Sequence, residues 1–260
     1  MTTVRLPTTR SDRHVFATMG TVVTIAFADG VPEGADAAVE RAFGELDARF
    51  SLYRPDSEAS AVARREVGVR EASAEYRAAY DLAVEWSALT ERAFTPHRPD
   101  GVIDLAGVVK AMAIQAAADA LHEMGARNWC LNAGGDVLVD GAAAIWHAGD
   151  LAGSAPWVVG IVDPTDRTQL VSQFATSPTF PAVATSGIAE RGEHVWRMAS
   201  SDTFAQVTVA AGDIVTADVL ATAILSGGTS TLDLATARWP VEVLAITRTG
   251  EFYATPAFRA

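Results

Sequence analysis

The sequence predicts an α+β protein, and three observations carry that expectation. Strand-like and helix-like stretches are mixed along the chain without the regular strand-helix-strand alternation of a doubly wound sheet. Apolar residues make up 49% and charged residues 20% of the 260, which is enough for a sizeable core. The two glycine-rich segments "LAGVVK" and "NAGGDV" fit neither the P-loop nor the dinucleotide fingerprint, so the markers of the common parallel nucleotide folds are missing.

The elements follow in order. Residues 1–14 are expected to be a flexible start, and 15–260 one domain, because no repeat, low-complexity tract or linker interrupts them. "HVFATMGTVVTIAFA" alternates as a strand with a bend at Gly20. In "EGADAAVERAFGELDARFSLY" the residues Val39, Phe43, Leu46 and Phe50 recur at helical spacing. A turn at "RPDSE" offers Ser57 as the cap of a short helical piece, and Ser73 caps the amphipathic "SAEYRAAYDLAVEWSALTERA". The loop "FTPHRPDG" leads into a short strand "GVIDLA" and a helix from about Gly107 to Met124, which Gly125 stops.

Beyond it, "NWCLNAGGDVLVDG" reads as strand, glycine turn, strand. "PWVVGIVD", "LVSQFAT" and "FAQVTVAA" are further strands, and "ATSGIAERGEH" a Gly/Ser loop between the last two. "IVTADVLATAILSGG" is a short helix ending in two glycines, and "VEVLAITRTGEFYATPAF" closes the chain as a hairpin over Thr249-Gly250.

Composition excludes several classes. A net charge of −12 and the absence of any basic stripe argue against a nucleic-acid partner. No apolar run approaches the roughly 18 residues needed to cross a bilayer, and the N-terminus lacks an apolar signal core; a cytoplasmic protein without membrane attachment is expected. Cys130 is the single cysteine, so no intrachain disulfide forms, and in "NWCLN" it reads as a small core residue rather than a nucleophile.

Two places invite chemistry. In "TADVLATA", Asp218 and Thr222 stand four apart, so a helix puts a carboxylate and a hydroxyl on one face, the hard oxygens that Mg²⁺ prefers. The plain alternative is that Asp218 serves the helix N-terminus and Thr222 bonds back to a carbonyl. Lys110 is the only lysine; the other nineteen basic residues are arginine. It follows a glycine-containing turn that opens a helix, a setting suited to an anion such as phosphate, although an exposed helix lysine has the same spacing. Tyr53 and Phe94 could stack on a flat ring or simply fill the core, and His194 by itself is equally a surface or core residue.

Taken in order, "MGT" at Met19, "FSLYRPDSE" from Phe50, "AFTP" at Ala93, "DLAGVVK" from Asp104, "NAGGD" from Asn132, "TSG" at Thr185, "VTV" at Val207 and "ADVLATA" from Ala217 resemble the ApbE-like FAD:protein FMN transferases. That resemblance spans roughly residues 15 to 230. It implies mixed or antiparallel sheets with flanking helices and a site between two closely packed lobes. It also implies Mg²⁺-dependent transfer of FMN from FAD, as substrate, to a Thr or Ser hydroxyl of an acceptor protein, releasing AMP, by a monomer or homodimer.

Matched position by position, the resemblance makes Asp218, Thr222 and the carbonyl of Gly107 the metal ligands. Met19, Tyr53, Ala93, Phe94, Thr95, Asp104, Lys110 and Ala221 become flavin-nucleotide contacts. His194 falls in the late ligand-contacting segment as a candidate general base, and with Asp218 and Thr222 completes the expected catalytic set. The chain departs from the family pattern where "HVWRMASSDTFAQVTV" lacks the usual DPxTG loop, and at Thr95, Ala111 and Gln115. These departures touch the nucleotide pocket and leave the metal pair intact. An FAD pyrophosphatase, with water in place of the acceptor hydroxyl, and a non-catalytic flavin- or partner-binding homologue remain alternatives.

Overall fold

A computed structural model describes residues 13–147, 150–187 and 203–258. Eight strands form one sheet in the order β1-β2-β3-β4-β9-β10-β11-β12. These are β1 (Arg13–Thr18), β2 (Thr21–Phe27), β3 (Trp129–Ala133), β4 (Asp136–Asp140), β9 (Ala182–Gly187), β10 (Phe204–Ala211), β11 (Glu242–Thr247) and β12 (Phe252–Ala254). Every neighbouring pair is antiparallel, as the α+β class requires. Two small ribbons stand apart, β5 (Ala143–His147) with β6 (Asp150–Ala155), and β7 (Val158–Val162) with β8 (Leu170–Ala175).

The helices are α1 (Ala35–Phe50), α2 (Glu58–Ala63), α3 (Ala74–Leu89), α4 (Ala106–Glu123) and α5 (Ile214–Arg238). Local chemistry sets their ends. The Ser57 hydroxyl accepts the Ser60 N–H at 3.0 Å, and that of Ser73 accepts the Tyr76 N–H at 3.1 Å. Gly125, at φ 75°, lets the chain leave α4 with its N–H on the His122 carbonyl and that of Ala126 on Leu121.

Four readings change. The stretch around Gly20 is a hairpin rather than one bent strand: Met19 and Gly20 both take positive φ, 49° and 70°, and pair Thr18 with Thr21. "GVIDLA" contributes only an isolated bridge, Ile103 to His97. The Gly/Ser loop begins as strand β9, because its small residues are buried between β4 and β10. The helix after Asp213 leaves helical geometry at Gly228 (φ 72°, ψ −153°) but resumes and runs to Arg238.

Alternation in the central strands divides the molecule into layers. Val207, Val209, Ala182, Ala184, Val243 and Ala245 face a large core shared with α1, α3, α4 and α5. Val183, Ala210 and Leu244 face the other way, onto Ile161 and Phe174 of the β7-β8 ribbon. α5 is apolar on nearly all sides and long enough to cross a membrane, yet 67% of its most apolar stretch is buried, as befits a core helix.

Candidate functional site

The site forms where α4 and α5 lie against one end of the sheet. The Asp104 carboxylate accepts the Ala106 N–H at 3.0 Å just before α4, whose N-cap is Leu105. Gly107 follows in the first turn, where a Cβ would stand 2.7 Å from Phe94 Cε2, so the Phe94 ring rests directly on the helix backbone. Phe94 is fixed in turn by its N–H on Thr90 Oγ1 at 3.2 Å. Its neighbour Ala93 packs on α5 at Gly227, where a Cβ would lie 2.9 Å from the Ala93 methyl. Thus the 93–94 segment bridges the start of α4 to the far part of α5, and the two helices run antiparallel.

One turn beyond Gly107, Lys110 reaches from α4 to the sheet. Its ammonium contacts the Asp136 carboxylate directly and lies 4.0 Å from Asp218 Oδ2 on α5. The Lys110 side chain is 17% exposed, against 0% for Asp136 and 1% for Asp218, so this lysine is no solvated surface cation. Burial of two carboxylates demands such partners, because a charge removed from water without compensation is strongly unfavourable.

Asp136 was not among the residues singled out from the sequence. It opens β4 just after a two-residue turn in which Gly134 and Gly135 have φ of 62° and 96°, a geometry that glycine adopts without strain. The Asn132 side chain accepts the Gly135 N–H at 2.9 Å, and Asp136 Oδ1 accepts the Thr185 N–H of β9 at 3.2 Å. A visible signal existed in "GGDVLVD", a carboxylate that leads a strand of buried apolar residues and therefore needs an interior partner.

α5 removes one sequence reading of its polar pair, that Asp218 serves the helix N-terminus. Asp213, not Asp218, caps the helix, accepting the Thr216 N–H at 2.8 Å and the Thr216 hydroxyl at 2.7 Å. Asp218 therefore sits inside the helix and inside the protein. The Thr222 hydroxyl, one turn on, meets Ser186 Oγ of β9 at 3.0 Å. Ser186 is another group the sequence did not single out.

The remaining candidates are more scattered. Met19, in the β1-β2 turn, lies at the same end of the sheet, since Gly134 donates to the Val22 carbonyl at 3.2 Å. Ala221 is buried on α5 next to Thr222, and Thr95 Oγ1 accepts the His97 N–H at 3.2 Å. Tyr53, on the turn after α1, is 84% exposed. His194 lies outside the described residues. Cys130 is half-buried on β3, and desolvation of its thiol pushes the pKa up to about 12, in keeping with an inert residue.

Two hollows lie elsewhere: one of about 690 Å³ along the second half of α4, bounded by Gln115, His122, Asp140 and Asp213, and one of about 230 Å³ between Val62, Val69 and Ile103. Among the described residues no group of three or more His, Cys, Asp or Glu side chains is gathered. A closed zinc-type cage is thus not what these residues offer. The Asp218 carboxylate and the Thr222 hydroxyl are hard oxygens one helical turn apart, with the Lys110 ammonium 4.0 Å from Asp218. That donor set fits Mg²⁺, which takes few protein ligands and completes its shell with water and phosphate oxygens.

The family model described as the ApbE family matches residues 19–100 and 96–245. The chain belongs to the ApbE family. Its fold agrees with that of solved members. The ApbE protein of Thermotoga maritima superposes with a TM-score of 0.76 at 19% identity, covering 95% of this chain and 97% of that one. The flavin transferase ApbE of Vibrio cholerae gives 0.71 at 21% identity over 95% and 98%. The apo form of the flavinyl transferase ApbE of Pseudomonas stutzeri gives 0.74 at 20% identity over 95% and 94%. No curated protein matches the sequence. Within this ApbE fold, Lys110, Asp136, Ser186, Asp218 and Thr222 come from four separate elements and meet at one end of the sheet.

Proposed function

We propose that this protein transfers FMN from FAD to a Thr or Ser hydroxyl of an acceptor protein, releasing AMP, with Mg²⁺ held by Asp218, Thr222 and the Gly107 carbonyl. The observation that carries the reading is the Asp218 carboxylate, buried beside Lys110 and one helical turn from Thr222. Its support from kinship is the ApbE family match together with neighbours named flavin transferase and flavinyl transferase. A cytoplasmic setting belongs to the same reading.

In the reaction the acceptor oxygen forms a bond to the FMN-side phosphorus, the pyrophosphate P–O bond breaks, and AMP leaves with the electron pair. Mg²⁺, when bound, neutralises charge that develops on the pyrophosphate oxygens. Lys110 supplies a compact positive charge close to that group, and the start of α4 offers backbone N–H groups to an anion. Met19 offers an apolar contact to the nucleotide, and buried Phe94 supports the start of α4 from behind. The acceptor hydroxyl gives its proton to a base, for which His194 is the candidate.

The test is AMP release from FAD, followed by chromatography with Mg²⁺ or EDTA, in wild type and two variants. Outer-shell partners of metal ligands are worth about 10–100-fold, so losing the ligand itself in Asp218→Ala is expected to lower the rate at least about a hundredfold. Thr222→Ala, which removes a neutral donor, is expected to cost about tenfold and to be partly rescued by raised Mg²⁺. An Asp218→Ala protein that turns over like wild type would sink the assignment.

A further inference from the structure

Thr222 and Thr236 stand on the same helix, yet their hydroxyls take different partners. That of Thr236 donates back to the Leu232 carbonyl at 2.9 Å, the ordinary arrangement for a threonine inside a helix. That of Thr222 turns across to the sheet and meets Ser186 Oγ at 3.0 Å.

Ser186 is a fixed partner. It pairs with Val207 of β10 and is 1% exposed, on the same face of β9 as Ala182 and Ala184, which pack in the core shared with α5. Its neighbour Thr185 is tied twice, by its N–H to Asp136 Oδ1 at 3.2 Å and by its hydroxyl to that of Thr208 at 2.9 Å. Strand β9 therefore has little room to move, and the Ser186 hydroxyl with it.

A hydroxyl carries one proton and two lone pairs. Either group can donate in the Ser186–Thr222 pair, and a cation on the Thr222 oxygen selects the direction. The Thr222 proton then has to point away from the cation, and Ser186 Oγ is an acceptor on the sheet side. With the proton placed there, the Thr222 lone pairs are left for the cation.

Resting on the reading of Thr222 as a divalent-cation ligand, we propose that Ser186 is a positioning residue for it. Ser186 holds the Thr222 hydroxyl toward the sheet and accepts its proton, so that the Thr222 oxygen faces the cation. Without the Ser186 hydroxyl, Thr222 bonds back along the helix as Thr236 does. The effect of Ser186 on the metal runs wholly through Thr222, which separates it from a general loss of structure.

Mn²⁺ serves as the probe, its free concentration read by electron paramagnetic resonance in titrations of the full chain. Ser186→Ala is expected to raise the Mn²⁺ Kd about threefold to tenfold, the range of one neutral hydrogen bond, and no further than Thr222→Ala does. In the Thr222→Ala background, adding Ser186→Ala is expected to change the Kd less than about twofold, because the group it acts through is gone. Thr222→Ser, which leaves Ser186 in place, is expected to stay within about threefold of wild type, since Ser186 rather than the β-branch sets the hydroxyl.

An unchanged Kd in Ser186→Ala overturns the proposal and leaves the metal reading standing. So does a full second loss in the double variant, or a Thr222→Ser protein as weak as Thr222→Ala. A Thr222→Ala protein that binds Mn²⁺ like wild type, or a wild type without saturable binding, overturns the metal reading itself and the proposal with it.

Discussion

At Lys110 an ammonium does what the arginines elsewhere in this chain could not. It is a compact charge with three donors, able to contact Asp136 and still lie 4.0 Å from Asp218 in a nearly closed space. A planar guanidinium is larger and directs its donors in a fixed fork. Lys110→Arg is therefore expected to weaken FAD binding, measured by quenching of flavin fluorescence, while an arginine-to-lysine change on the surface leaves it alone. Equal affinities in the two variants would mean that the site has no need of a lysine. Cys130 tests the opposite kind of residue. Its folded-state pKa lies near 12 against an ordinary value of 9.0, so the neutral thiol favours the folded state below pH 9, and that contribution is lost as pH rises toward 12. At pH 8 an aromatic disulfide reagent is expected to label half-buried Cys130 more slowly in the native protein than after unfolding; equal rates would contradict the raised pKa.

At the scale of the element, α5 carries two aspartates with separate duties. Asp213 closes the N-terminus through Thr216, whereas Asp218 faces the site. Asp213→Ala is expected to cost about 1 kcal/mol, which for a chain of this size lowers Tm by about 2–4 °C, while Mg²⁺-dependent AMP release persists at the unfolding-corrected level. Loss of turnover without loss of stability would mean that the two roles have been exchanged. The helices were legible because spacing and caps agree: Val39, Phe43 and Phe50 line one face of α1, and Ser57 and Ser73 cap as their positions suggest. The β1-β2 hairpin was not legible, since alternation runs straight through "ATMGTV" and Met19 is an unusual residue for a left-handed turn position. β9 was hidden for another reason. "AVATSG" has the small, polar composition of a loop, and only pairing with β4 and β10 makes it a strand.

Across the whole molecule, the site depends on long-range pairing. Asp218 and Thr222 could be read as a pair because a helix makes positions four apart neighbours. Their surroundings could not, because Asp136 and Ser186 arrive from β4 and β9 through sheet register that no local pattern encodes. The resemblance in motif order covered Gly107 and Lys110 at the start of α4, and carried Asp136 only as the end of "NAGGD", without pairing it with the lysine. The sheet thus acts as the frame that holds Asp136, and α4 and α5 as two arms that bring a cation and a carboxylate to it.

The most direct measurement is the intact mass of an acceptor domain carrying a Ser-Gly-Ala-Thr segment after incubation with this protein, FAD and Mg²⁺. Under flavin transfer the acceptor gains one FMN in phosphoester linkage as AMP appears in equal amount, with neither change in EDTA. An acceptor of unchanged mass, whether FAD is hydrolysed to free FMN and AMP or remains intact, would contradict that function.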